Sequence, residues 1–193
     1  MHAVPGAQNP DWHADASGKA FFWEEPKYRN YYLKLWDKLS RKFKDQEMIA
    51  GYDVMNEPVT DKTDLLHDTF KAVIKVIRNN DDRHIIFLEG NNWARDVEPL
   101  QGLFSDNVAL SIHFYDPFKF TFDNDPKLTY PGKVDGLFWN KATIRDILHK
   151  YADFKVPVLV GEFGVAGSFK SDKLQWVKDM LAVFNELGFH WSY

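Results

Sequence analysis

Short apolar segments alternate along this chain with longer amphipathic segments, and this alternation limits the folds that are open to it. The short segments are apolar at successive positions, which predicts strands buried on both faces. The longer segments repeat apolar residues with a helical period, so they predict helices that cover a parallel sheet. The predicted strands are residues 48–55, 84–90, 108–115 and 158–163, and the predicted helices are residues 27–44, 62–79, 138–151 and 171–187.

The connections between these segments refine the α/β prediction. Asp61 stands just before the second helix, where we expect it to act as a cap, and residues 91–107 are expected to hold no more than a short helix. A doubly wound sheet normally carries a glycine-rich phosphate loop after its first strand, and the chain has neither G-x-G-x-x-G nor G-x-x-x-x-G-K-[ST]. A barrel-type sheet is therefore favoured. No linker or repeat interrupts the chain, so residues 1–193 are predicted to form one domain.

Composition excludes several classes of partner. The net charge is −4 and no basic block occurs, so a nucleic acid is not expected to bind. No apolar run approaches the roughly 20 residues of a membrane span, and the first ten residues predict no signal peptide. The absence of cysteine excludes disulfides, thiolate catalysis and cysteine-based metal sites.

Two of the predicted strands end in a glutamate. Glu57 follows Asn56 in "DVMNEP", and Glu162 lies in "VLVGEFG". Each glutamate alone could cap a neighbouring helix or pair with an arginine. Two carboxylates at the carboxyl ends of parallel strands are better explained by a glycosidase site. There, one carboxylate protonates the leaving oxygen, while the other attacks the anomeric carbon or activates water.

Other polar and aromatic residues also follow strands. His113 and Tyr115 are two residues apart, so they face the same side of a strand. They could be structural hydrogen-bonding groups, or they could hold sugar hydroxyls or the nucleophile. Trp93 and Trp191 are either core residues or flat faces on which a sugar stacks. Glu89 is a third strand-end carboxylate, and a structural or positioning role is favoured for it.

Two other hydrolase classes lack their motifs. The G-x-S-x-G elbow of an esterase does not occur, and none of the seven histidines forms the H-E-x-x-H motif of a zinc protease. Glycoside hydrolysis is therefore the chemistry that the sequence favours.

Six segments of the chain together resemble glycoside hydrolase family 5, the cellulase family of the retaining (β/α)₈-barrel clan. "DVMNEP" is similar to the family's general acid/base motif after the fourth strand, and "VLVGEFG" to its nucleophile motif after the seventh. "MHAVPGAQN", "GNNW", "HFYDP" and "HWSY" are similar to the ends of the third, fifth, sixth and eighth strands. These motifs follow the family's order over essentially the whole chain.

The resemblance implies an incomplete (β/α)₈ TIM barrel of roughly six strands, beginning at the third strand of the family fold. The first two strands, and the second-strand arginine that supports the nucleophile in this family, are not expected. The implied reaction retains the anomeric configuration, with Glu162 as the nucleophile, Glu57 as the acid/base and their carboxyl groups about 5–5.5 Å apart. No metal or cofactor is implied. The residues expected to bind substrate are His2, Trp12, Asn56, Trp93, His113, Tyr115 and Trp191.

The expected partner is a carbohydrate, a β-glucan or related glycan, and secretion is expected from the family. The alternative is a catalytically impaired barrel fragment that binds glycans through Trp12, Trp93 and Trp191 without cleaving them. Loss of the first two strands would leave open sheet edges, so we expect self-association, most simply as a two-fold dimer, and weak or absent glycosidase activity. Residues 6–26 and 116–136 are expected to decide which glycan is bound.

Overall fold

The computed structural model describes residues 1–122, 125–167 and 171–193. The chain divides into two compact units, Met1–Ser111 and Ile112–Tyr193. In the part of the chain that the structure describes, no helix is both long enough and apolar enough to cross a bilayer.

The first unit carries the start of a parallel sheet. Strand β1, Gly51–Asp53, pairs with β2, Ile85–Glu89, with Tyr52 opposite Ile86. Strand β2 pairs with β3, Val108–Phe114, with Phe87 opposite Ala109. The helices and strands of this unit are a 3₁₀ helix Trp12–Ala14, α1 Phe21–Glu24, α2 Pro26–Phe43, β1 Gly51–Asp53, α3 Thr63–Arg78, β2 Ile85–Glu89, α4 Asn91–Ala94, a 3₁₀ helix Glu98–Leu100 and the beginning of β3 Val108–Phe114.

The long helices of the first unit form where the apolar stripes predict them. Pro26 occupies the first turn of α2, where a missing N–H costs nothing. α2 buries Tyr32 and Trp36, and α3 buries Leu66 and Phe70 along one face. The short helices at 91–94 and 98–100 agree with the expectation for the connection 91–107.

Three details of this unit differ from the sequence prediction. The first strand is shorter than 48–55, because Met48 is 97% exposed and lies before the strand. Asp61 is not the cap of α3, which begins after Lys62 without a side-chain cap bond. Residues 1–9, expected to include the end of a further strand, form no strand, although Met1 C=O accepts a hydrogen bond from the Asn56 N–H, at 2.9 Å.

The second unit continues the sheet and adds a hairpin. β3 runs on into this unit. The strand order then continues with β6, Val158–Phe163, and β7, His190–Trp191, so the described residues form a sheet of five strands where roughly six were expected. β6 and β7 pair in parallel, with Val160 opposite Trp191. The elements are α5 Phe118–Thr121, β4 Gly132–Val134, β5 Leu137–Trp139, α6 Lys141–Ala152, β6 Val158–Phe163, α7 Ser171–Leu187 and β7 His190–Trp191.

The hairpin of β4 and β5 corrects the predicted helix 138–151. Asp135 and Gly136 both have positive φ angles, +50° and +87°, which is the geometry of a two-residue hairpin turn. Residues 138 and 139 therefore belong to β5, and α6 begins at Lys141. The side chain of Asn140 caps α6 by accepting a hydrogen bond from the Thr143 N–H, at 3.0 Å.

Candidate active site

Glu57 lies in the loop that follows β1, and its backbone is in an unusual conformation. Its φ angle is +46°, in the left-handed region that residues other than glycine rarely adopt. Its side chain is only 12% exposed. A strained backbone of this kind persists where the surrounding structure fixes it, and such residues cluster at functional sites.

Two side chains hold the backbone of Glu57. The Glu57 N–H donates a 2.7 Å hydrogen bond to Oε2 of Glu89, which is 1% exposed and ends β2. The Glu57 C=O accepts a 2.9 Å bond from Nδ2 of Asn9, which is fully buried. Glu89 therefore contacts the backbone of Glu57, and the structural or positioning role expected for it stays a prediction.

Asn56 is fixed through its backbone, whereas its side chain has an unused donor. The Asn56 C=O accepts a 2.6 Å bond from Nε2 of Gln8. The residue is 7% exposed, and among the described residues no group accepts a hydrogen bond from its buried Nδ2. A buried donor without an acceptor is costly, so this amide is well suited to bind a ligand oxygen.

Charged and titratable groups surround the Glu57 loop. Burial of the Asp53 carboxyl at the end of β1, with the charge of Glu89 close by, raises the pKa of Asp53 well above its usual range. On the other side, Nε2 of His13 lies 3.5 Å from Oε2 of Glu57 and 3.5 Å from Oδ2 of Asp11. A histidine thus stands between two carboxylates, one of which is Glu57.

Aromatic residues predicted to bind substrate lie around His13. The His2 ring is 5.6 Å from the His13 ring, and the Trp12 ring is 5.9 Å from it. Trp12 is 86% exposed, so its indole face is available for stacking. Trp93 donates its indole N–H to Oδ2 of Asp11, at 2.7 Å. The first unit therefore brings His2, Trp12 and Trp93 to the segment that contacts Glu57.

A cavity of about 490 Å³ opens beside the segment that follows Glu57. Its lining includes the aromatic residues Phe21 and Trp23, the basic Lys19 and the acidic Asp61. Residues 19–25 fall within the loop 6–26 that was expected to influence which glycan is bound.

In the second unit, Glu162 is the penultimate residue of β6 and receives two contacts on one oxygen. The Tyr115 hydroxyl donates to Oε2 of Glu162 at 3.0 Å, and Nδ1 of His113 lies 3.5 Å from the same oxygen. His113 is 3% exposed, whereas the Glu162 side chain is 34% exposed. The two residues reach the same carboxylate, as their spacing on the strand predicts.

Trp191 lies on β7, the neighbour of β6. Its ring meets Phe163 edge-on at 6.0 Å, and Phe163 is the residue after Glu162. Trp191 is 44% exposed, which leaves part of its face open. The second unit therefore places His113 and Tyr115 at the Glu162 carboxylate, and Trp191 against the neighbouring Phe163.

Four residues of the Glu57 surroundings were not predicted from the sequence: Gln8, Asn9, Asp11 and His13. They belong to a segment with no regular strand pattern, where only "MHAVPGAQN" gave a signal, and that signal concerned His2.

A family model described as Cellulase (glycosyl hydrolase family 5) matches residues 11–193. The chain belongs to glycosyl hydrolase family 5. The resemblance seen in the sequence is confirmed, and residues 1–10, including His2, lie outside the matched range.

Two curated relatives and one solved structure extend this result. A β-xylosidase of Phanerodontia chrysosporium is 29% identical over 206 residues, covering 100% of this chain and 43% of the relative. Endoglucanase C of Acetivibrio thermocellus is 22% identical, covering 100% of this chain and 66% of the relative. The crystal structure of a glycoside hydrolase superposes with a TM-score of 0.84 at 20% identity, covering 100% of this chain and 62% of that one.

These matches confirm the predicted fold class, an α/β fold with a parallel sheet that corresponds to part of a family 5 TIM barrel. The chain spans less than two thirds of the length of these relatives.

Proposed function

We propose that the chain carries the catalytic residues of a retaining β-glycosidase. Glu162 attacks the anomeric carbon and expels the leaving group, whose oxygen takes a proton from Glu57. Glu57 then removes a proton from water, which attacks the glycosyl-enzyme ester and releases the sugar with its configuration retained. The proposal is supported by family membership and by the positions of the two glutamates, Glu162 next to the last residue of β6 and Glu57 in the loop that follows β1.

The single observation that carries the proposal is the set of contacts on Oε2 of Glu162. A nucleophilic carboxylate must be correctly oriented, and hydrogen bonds to its oxygens hold it in place. The Tyr115 hydroxyl supplies such a bond, and the nearly buried His113 holds a ring nitrogen near the same oxygen. The remaining exposure of Glu162 leaves the carboxylate accessible to a substrate.

Asn56 is proposed to bind the 2-hydroxyl of the sugar. Its unused Nδ2 donor fits this role, because hydrogen bonds to the 2-hydroxyl strengthen in the oxocarbenium-like transition state. Trp12, Trp93 and Trp191 would contribute stacking surfaces, and His2 a polar contact near His13.

The proposed substrate is a β-glucan or a related β-linked glycan, cleaved in an endoglucanase-like manner. The relatives are named for xyloside and glucan hydrolysis, so both sugar types belong in a substrate screen. The two loops expected to decide among them are 6–26 and 116–136, of which residues 123 and 124 lie outside the described residues.

A second candidate function is glycan binding without cleavage. The observation that favours it is the exposure of Trp12, at 86%, and of Trp191, at 44%, because exposed indoles can bind sugars whether or not a catalytic pair is complete. In that case the chain would bind oligosaccharides with no turnover.

The deciding experiment is covalent trapping with a 2-deoxy-2-fluoro β-glycoside that carries a 2,4-dinitrophenyl leaving group. We expect one glycosyl label on Glu162, found by peptide mass spectrometry, and a β-anomer as the first product from a normal substrate. Glu162→Gln should abolish labelling, whereas Glu186→Gln, an exposed glutamate of α7, should not alter it. Binding without label or turnover would support the second candidate, and an α-anomer would contradict retention.

A further inference from the structure

The peptide backbone around Glu57 is held by an unusual set of buried side chains. Three of the backbone polar groups of Asn56 and Glu57 bond to side chains. Gln8 donates to the Asn56 C=O, Asn9 donates to the Glu57 C=O, and Glu89 accepts from the Glu57 N–H. Each of these three residues is at most 1% exposed. We call Gln8, Asn9 and Glu89 the Glu57 clamp.

The Glu57 clamp is itself anchored on several sides. Oε1 of Gln8 accepts a hydrogen bond from the Val4 N–H at 3.1 Å, so the amide that donates to Asn56 cannot turn freely. The Gln8 C=O accepts the Trp23 indole N–H at 2.7 Å and the Val59 N–H at 3.0 Å. The segment after Glu57 is therefore tied to the same residue as the segment before it.

Loop–strand contacts of this kind normally satisfy backbone groups in ordinary conformations. Here they surround a glutamate with a φ angle of +46°, next to Pro58. A non-glycine residue does not stay in the left-handed region without support from its surroundings. The Glu57 clamp supplies that support on both sides of the Glu57 Cα. The direction of the Cα–Cβ bond, which the backbone conformation fixes, then limits where the carboxyl can lie.

We propose, on the basis of the proposed function, that Gln8, Asn9 and Glu89 are positioning residues for the acid/base Glu57. The clamp holds Glu57 in its left-handed conformation, so that its carboxyl meets the oxygen of the leaving group. Glu89 contributes most, because its bond joins a carboxyl oxygen to a backbone N–H in a site closed to water.

A positioning role for an acid has a signature that general destabilisation lacks. A poor leaving group needs protonation by Glu57, whereas a 2,4-dinitrophenolate leaves without it. Loss of general acid catalysis typically costs about 10²–10⁴-fold, and small misplacements of reacting groups cost about 10²-fold. Displacement of Glu57 should therefore slow hydrolysis of an unactivated oligosaccharide and largely spare that of the dinitrophenyl glycoside.

The test compares Glu89→Leu, which removes the acceptor, with Glu89→Gln, which keeps an acceptor oxygen. Asn9→Ala is a second variant that opens the clamp from the other side. Thr69→Val is the matched control, since Thr69 is 5% exposed and its hydroxyl bonds to the Leu65 C=O within α3, away from the clamp. For each, kcat/KM is measured on the unactivated oligosaccharide and on the dinitrophenyl glycoside, and amide hydrogen exchange of Glu57 is measured by NMR.

For Glu89→Leu we expect kcat/KM to fall at least about tenfold more on the oligosaccharide than on the dinitrophenyl glycoside, with Glu89→Gln between it and the parent. We also expect the Glu57 amide to exchange at least about tenfold faster than in Thr69→Val. Equal losses on both substrates would overturn the positioning role. Unchanged exchange in both Glu89→Leu and Asn9→Ala would overturn the clamp. A parent that hydrolyses neither substrate would instead refute the proposed function, while the exchange comparison still decides the clamp.

Discussion

Replacing Asn56 with alanine should lower activity without lowering stability. The Asn56 side chain is almost buried, and its Nδ2 has no acceptor among the described residues. An unmade buried donor costs about 1–3 kcal/mol of folding free energy. Asn56→Ala removes that cost and loses some packing. We expect the free energy of unfolding to stay the same or to rise by about 1 kcal/mol.

The expected effect on hydrolysis follows from the same donor. In the proposed transition state, the Asn56 amide meets a 2-hydroxyl beside the developing positive charge, and bonds involving charge contribute about 1.5–3 kcal/mol. Since 1.36 kcal/mol corresponds to a factor of ten in rate, kcat/KM should fall roughly ten- to 150-fold. This loss should appear mainly in kcat, because the bond strengthens in the transition state.

The assay is a two-by-two comparison of enzyme and substrate. Parent and Asn56→Ala are each measured on an aryl β-glucoside and on its 2-deoxy analogue, and urea unfolding is followed for both proteins. We expect the variant to lose activity on the glucoside and to match the parent on the 2-deoxy substrate. An equal loss on both substrates, or a fall in stability of more than about 1 kcal/mol, would refute the assignment of Asn56 as an unsatisfied donor waiting for the 2-hydroxyl.

Three further outcomes are expected. Tyr115→Phe removes the hydroxyl that donates to Glu162, so kcat/KM on an aryl glycoside should fall several-fold for a loss of about 1 kcal/mol, and an unchanged value would contradict this. Because the pKa of Asp53 is raised in the folded state, the free energy of unfolding should fall as pH rises above about 3.9, the pKa of an aspartate in the unfolded chain. Thermal unfolding at several pH values should show a smaller fall of the unfolding temperature for Asp53→Asn than for the parent. The outer strands β1 and β7 should support self-association, which sedimentation equilibrium would detect, and a monomer of 22.6 kDa at micromolar concentration would contradict it.

The helices and the buried strands could be predicted because the spacing of apolar residues along the chain indicates them. The buried strand β3 and the helices α3 and α7 lie within one or two residues of their predicted bounds. The prediction was wrong at residues 138 and 139. They are apolar and lie just before α6, so they look like a continuation of its apolar stripe. The Asp135-Gly136 turn decides the structure here, because its two positive φ angles reverse the chain and let β4 pair with β5.

Much less of the surroundings of Glu57 could be predicted. Gln8 and Asn9 act through hydrogen bonds to residues 48 positions away, and no local pattern encodes such a contact. The left-handed conformation of Glu57 could not be predicted either, since no glycine at this position indicates a positive φ angle. The two glutamates could be selected as candidates from the sequence, because a charged residue at the end of an apolar strand is unusual.

Glu57 and Glu162 are supported in different ways, and the difference matches the roles proposed for them. The backbone of Glu57 is held by bonds to its N–H and C=O, and a histidine nitrogen lies 3.5 Å from its carboxyl. An acid/base gains and loses a proton at its carboxyl during each turnover, and the backbone bonds fix where that carboxyl lies. Glu162 is contacted at the carboxyl itself by the Tyr115 hydroxyl, which orients the oxygen of the proposed nucleophile. Damage to the backbone support of Glu57 should therefore depend on the leaving group, whereas damage to the contacts of Glu162 should slow every substrate.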